Sequence, residues 1–246
     1  MPEKQKPQDS LAIANGVCQR IKMKLQKRLT IESSLDVKRF YFIVRCLKEA
    51  LLYRSTELAE TTIDLYRRNA LVSAATITRS LLETTALFER LREICAKFVK
   101  KHKIHGCRAA DLEELVKHIS KIGFSTTDLV LIKNCTVPKI LQNSTVPFHA
   151  SDVVKSLGTR FKFDAEGFYA SLCQIAHPSF QGCLGTFADW QENYVEFIQD
   201  YHHMPERAPC HQSLLAVLLL TFEKLEKEMA ELLPKFATVC EEYRTI

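Results

Sequence analysis

An all-α fold follows from three features of this 246-residue chain. From Val17 to His105, 89 consecutive residues contain neither Gly nor Pro, although the turns that join strands prefer those two residues. Across the whole chain the seven Gly and eight Pro are about half the usual share, which disfavours sandwiches and barrels. Apolar residues also recur at helical spacing over most of the length. Together these predict a multi-helix bundle built around one long central helix, with an irregular excursion near residues 124–165. Residues 1–246 are expected to form a single helical domain, behind a disordered tail at residues 1–9.

The first helix is predicted over Ser10 to Arg28, because Ile13, Val17, Ile21, Leu25 and Leu29 recur every fourth residue among Arg20, Lys22, Lys24, Lys27 and Arg28. Ser34 or Asp36 supplies a cap for the second. That helix carries Phe40, Ile43, Val44, Leu47, Ala50 and Leu51 on one stripe and continues towards Tyr66, with or without a break. The central helix is predicted from Arg68 to Lys103, with Ala74, Ile77, Leu81, Phe88, Cys95 and Val99 on one face. At 1.5 Å per residue it would be about 50 Å long, the spine of a bundle unless it is broken once. Asp111 to Ile122 gives a short fourth helix.

The excursion is punctuated by Asn134, Pro138, Asn143, Pro147 and Gly158, and one short helix is expected in it near Thr127–Lys133. Asp164 is placed to cap a helix from Ala165 to His177, which Pro178 should stop. A loop with Gly182 and Gly185 follows, then a helix around Gln191–Tyr201, and a final helix from Pro209 to about Leu233. That last helix has more apolar surface than one amphipathic stripe needs. It is therefore central or lies in a dimer interface, and a homodimer is expected.

The net charge of +5 is unevenly placed. Residues 1–123 hold 24 Lys/Arg against 14 Asp/Glu, and residues 124–246 hold 10 against 15. The basic half could meet phosphate, or the acidic half of a second copy. Nine cysteines are spread without any C-x-x-C pair, as expected of reduced core thiols in a cytoplasmic protein. The longest strongly apolar run, Leu214 to Phe222, is about half of the ~20 residues a membrane span needs. No membrane association and no cofactor are expected: G-x-G-x-x-G, Walker A and G-x-S-x-G sequences are absent.

Two segments can carry chemistry. Arg79 and Glu83 share a helix face opposite Leu81, among Val72, Thr76, Ala86 and Leu87. The order cation-then-acid is the less favourable one for helix stability, and the surrounding face is largely uncharged. A semi-buried pair follows, structural or functional. In the second segment Tyr169, Cys173 and His177 stand one turn apart, and an imidazole at a helix end can act as acid or base near neutral pH.

Arg-x-x-x-Glu on a long helix, followed about ninety residues later by a Tyr-to-His-Pro-Ser helix, resembles an uncharacterised group of all-helical bacterial proteins similar to HEPN-type domains of defence and toxin–antitoxin systems. The resemblance covers roughly Arg68–Lys103 and Ala165–Phe180. It implies an Arg, four to six residues and a His in active ribonucleases of that type. Here the nearest arginine before His177 is Arg160, so the motif is missing. Only His177 carries over, with Arg79 and Glu83 as partners from another helix and Tyr169 beside them.

Two further sets of residues complete the candidates. His102, His105 and Cys107, and His202, His203, Cys210 and His211, are ligand-competent types whose spacing matches neither a zinc finger nor H-E-x-x-H. No metal is expected. Lys97, Lys100, Lys101 and Lys103 are candidate nucleic-acid contacts, although a solvated helix end, where cations are favoured in any case, explains them better.

The implied function is that of a non-catalytic or degenerate HEPN-like protein, acting through RNA or protein partners in bacterial defence or stress. The alternative is a metal-independent ribonuclease in which Arg79 binds phosphate, Glu83 assists and His177 moves the proton.

Overall fold

The computed structural model describes residues 9–29, 36–102, 109–123, 148–177, 188–190, 192–197 and 207–241. The fold is all-α. Among the described residues seven helices run α1 Ser10–Lys22, α2 Asp36–Arg67, α3 Leu71–His102, α4 Ala109–Gly123, α5 Ala150–Phe161, α6 Ala165–Ala176 and α7 Arg207–Glu241, with strands β1 Ala188–Trp190 and β2 Val195–Phe197 before α7. The chain divides into two compact units. The first takes Met1–Leu25, Leu52–Thr85 and Val154–Glu223; the second takes Gln26–Leu51, Ala86–Val153 and Lys224–Ile246.

In the first unit α1 lies parallel to α2 and to α7, with a constant offset to each. Cys18 meets the Thr56 carbonyl and Lys22 meets Glu60, while Ser10 meets Ser213 and Arg20 meets Glu223. Ala14, Val17, Cys18 and Ile21 are the buried side of α1. Asp9, expected in the disordered tail, instead caps this helix by accepting from the Leu11 and Ala12 amides. Residues 1–8 lie outside the described residues. α1 stops at Lys22 rather than Arg28, and a few residues on the Gln26 amide is bonded to the Glu49 carboxylate instead of a helix carbonyl.

α2 and α3 are antiparallel, joined at Arg68–Ala70, where Asn69 adopts φ 57°. Asn is one of the few side chains that tolerates that left-handed geometry. The predicted spine is thus 32 residues long, equalled by α2 and exceeded by the 35 residues of α7.

The excursion holds an element the sequence pattern did not suggest: α5, with Val153, Val154 and Leu157 buried. Gly158, expected to break the chain, lies inside this helix. A Cβ there would come within 2.9 Å of the Ala165 Cβ and of the Phe163 carbonyl, so glycine permits the close approach. The helix expected near Thr127–Lys133 lies outside the described residues.

The expected helix at Gln191–Tyr201 is contradicted. β1 and β2 pair antiparallel, Ala188 with Phe197 and Trp190 with Val195. The alternation Ala-Asp-Trp and Val-Glu-Phe has the two-residue period of strands. α7 begins two residues before Pro209 and runs eight beyond Leu233. A proline in the first turn costs no helical hydrogen bond, and buried Phe236, Val239 and Cys240 carry the apolar stripe past Pro234.

Candidate functional site

α6 is built as its sequence dictates. The Asp164 carboxylate accepts from the Gly167 amide at the N-terminus. At the other end His177 is extended, with ψ 140°, as the following proline requires, while its amide still reaches the Cys173 carbonyl. This helix presents Tyr169 to α3.

There, in the first unit, three groups close on one another. Arg79 Nε donates to Glu83 Oε1 at 3.2 Å, and Arg79 Nη2 donates to the Tyr169 hydroxyl at 3.3 Å. The Tyr169 hydroxyl in turn donates to Glu83 Oε1 at 2.9 Å. The guanidinium also lies over the phenol ring, 5.3 Å from its centroid. The Arg79 and Glu83 side chains are each 29% exposed, which makes the semi-buried pair expected from their uncharged neighbours a fact.

Electrostatics follow from this triangle. The bond to Tyr169 raises the Arg79 pKa above its ordinary value. Burial raises that of Tyr169, and its bond to Glu83 adds to the effect while Arg79 opposes it. The cluster therefore stands as a cation and an acceptor joined through a protonated phenol. It holds α6 against α3 and leaves part of the guanidinium open to solvent.

His177 does not join it. Eight residues separate it from Tyr169, about 12 Å along the helix axis at 1.5 Å per residue. Its side chain is exposed, and among the described residues no hydrogen bond or ion pair links it to the cluster. Of the four residues expected to carry chemistry, three converge and the proposed proton carrier stands apart.

The lysine set disperses too. Lys97 is paired with Glu93 at 2.6 Å, and Lys101 with Asp111 at 3.0 Å and Glu114 at 3.4 Å. Lys100 is exposed, and Lys103 lies outside the described residues. His102 is buried, tilted against Phe98 with ring centroids 4.7 Å apart, and its Nε2 is 3.7 Å from Asp111. Cys210 is exposed and His211 buried; His105, Cys107, His202 and His203 lie outside the described residues. Among the described residues no three His, Cys, Asp or Glu side chains are grouped to hold a metal ion.

The second unit contains a polar cluster that sequence reasoning missed. Lys48 Nζ lies 3.1 Å from Glu49 Oε1 and 3.4 Å from Glu226 Oε1, with all three side chains under 10% exposed. Neighbouring residues on a helix do not ordinarily face each other, so nothing in the adjacency of Lys48 and Glu49 signals the pairing. No family model, curated protein or solved structure matches this chain.

Proposed function

We propose that this chain is a HEPN-like helical protein without catalysis of its own, acting through protein or nucleic-acid partners in bacterial defence or stress. The closed triangle of Arg79, Glu83 and Tyr169 carries this reading. Each charge in it is already answered by the other groups, which suits a fastening between α3 and α6. A general acid–base centre needs a proton carrier within hydrogen-bond reach of the reacting atom, and His177 stands two turns away from the arginine's partner. The free thiols of Cys18, Cys46, Cys95, Cys173, Cys210 and Cys240 are in keeping with a reducing cytoplasm. Exposed Val217 and Leu220, nearly one turn apart on α7, support self-association as a homodimer. Among the described residues no helix is long and apolar enough to cross a membrane.

The test is RNA degradation by the purified protein without added metal, with His177→Ala and Arg79→Ala beside the wild type. No cleavage of several RNAs by folded wild type is expected. Cleavage abolished in both variants would establish the metal-independent ribonuclease instead.

A further inference from the structure

Exposed apolar surface and charge are divided between the two units in opposite senses. Among the described residues the large apolar side chains that stand exposed are Met23, Tyr53, Tyr194, Val217 and Leu220, all in the first unit. That unit's segments hold 13 Lys/Arg against 14 Asp/Glu, whereas those of the second hold 21 against 15.

Within the second unit α4 and the part of α3 from Ala86 onward run antiparallel and hold seven Lys/Arg against five Asp/Glu. Lys101 meets Asp111 at one end of the pair. Towards the other end Arg90, from α3, and Lys121, from α4, converge on the half-buried ring of Phe148, with charge centres 4.7 and 5.8 Å from its centroid. Arg90 and Lys97 share a single carboxylate, Glu93. Arg90, Lys97 and Lys121 are thus answered by one acid among the described residues, and exposed Lys100 extends the row.

Cations gathered around one ring repel each other unless an anion comes between them, and a row of them suits a repeating anion. An aromatic interleaved with cations is the layout that tracks a single strand, where backbone phosphates meet the charges and a base meets the ring. A membrane surface would need apolar side chains to insert, and the exposed ones belong to the other unit.

We propose that the α3–α4 face of the second unit binds single-stranded nucleic acid, with Arg90, Lys97, Lys100 and Lys121 on successive phosphates and Phe148 beside a base. This deepens the partner reading above, from which it takes only that the chain works by binding.

Fluorescence anisotropy of the full chain with a labelled single-stranded RNA of about 20 nucleotides, longer than the ~4–16 a single fold usually occupies, tests it between about 50 and 200 mM salt. The variant K97Q/K100Q/K121Q should bind at least about tenfold more weakly and flatten the salt slope by about 2, at about 0.7 per lost phosphate contact. The control K155Q/K162Q, in the first unit, should match the wild type. Lys100→Gln alone, at an exposed position, should show a smaller loss in the same direction and keeps the test open if the triple variant misfolds. Undetectable binding at the lowest salt, equal losses in control and variant, or equal competition by polyglutamate would each overturn the proposal. RNA cleavage by the wild type would sink the non-catalytic reading and leave this surface standing.

Discussion

The Arg79–Glu83–Tyr169 cluster of the first unit and the Lys48–Glu49–Glu226 cluster of the second are made from the same kinds of group, yet they differ in balance and in access to water. In the first, one cation faces one carboxylate through a phenol, and about 29% of each charged side chain remains exposed. In the second, one ammonium serves two carboxylates, and none of the three side chains exceeds 9% exposure. Glu49 also accepts from the Gln26 amide. A half-exposed, balanced cluster can lose a member to solvent at small cost. A buried one cannot, because the remaining charges have no water to turn to.

Removing the cation from each cluster should make that contrast measurable. Lys48→Met leaves two buried carboxylates without their ammonium and is expected to destabilise the fold by about 3–5 kcal/mol in denaturant titrations at neutral pH. A neutral-pH loss below that of Arg79→Met would show that the buried cluster is not the more demanding one.

The next effect is smaller and confined to the first unit. Tyr169→Phe deletes one acceptor and one donor while preserving the ring under the guanidinium. It should cost about 0.5–1.5 kcal/mol, the net worth of an ordinary hydrogen bond. Hydrogen exchange should locate the loosening in α6. Unchanged exchange there would mean that packing at buried Leu172 and Ala165, with no help from the phenol, holds that helix.

The smallest effect belongs to the exposed pair of Arg20 and Glu223. Its bidentate hydrogen bonds hold the Glu223 pKa below the usual carboxylate value. A depressed carboxylate contributes stability that is present above its unfolded pKa and is lost as pH falls through the folded one. Arg20→Ala should therefore return the Glu223 titration, followed by NMR, towards the ordinary value. Any stability difference from wild type should be present at neutral pH and vanish in acid. A Glu223 titration left unmoved by the substitution would assign the depression to another neighbour.

These clusters also mark how far one-dimensional information reaches. α2, α3, α4 and α6 were legible because each couples an apolar period to local start and stop signals, such as Asp164 and Pro178 around α6. α5 was hidden by Gly158, whose use is decided by the distant approach of Ala165 rather than by its own neighbours. The end of α7 was hidden by Pro234, since buried Phe236 and Cys240 outweigh the lost hydrogen bond. For the site, Arg79 and Glu83 announced themselves by an unfavourable order on an uncharged face. Tyr169 was nominated for its position near His177, but its bond to Glu83 spans 86 residues and belongs to tertiary structure alone. Lys48, Glu49 and Glu226 gave no sign, because their burial is conferred by packing.

The constant register of α1 against α7 bears on the birth of the molecule. Ser10 and Arg20 both find their α7 partners 203 residues further along the chain. At elongation rates of about 5–20 residues per second, that interval is roughly 10–40 s. α1 thus waits for α7, with α2 available meanwhile as a partial dock through Thr56 and Glu60. Translation stalled shortly before α7 would therefore yield a nascent chain whose α1 is a ready ligand for holding chaperones.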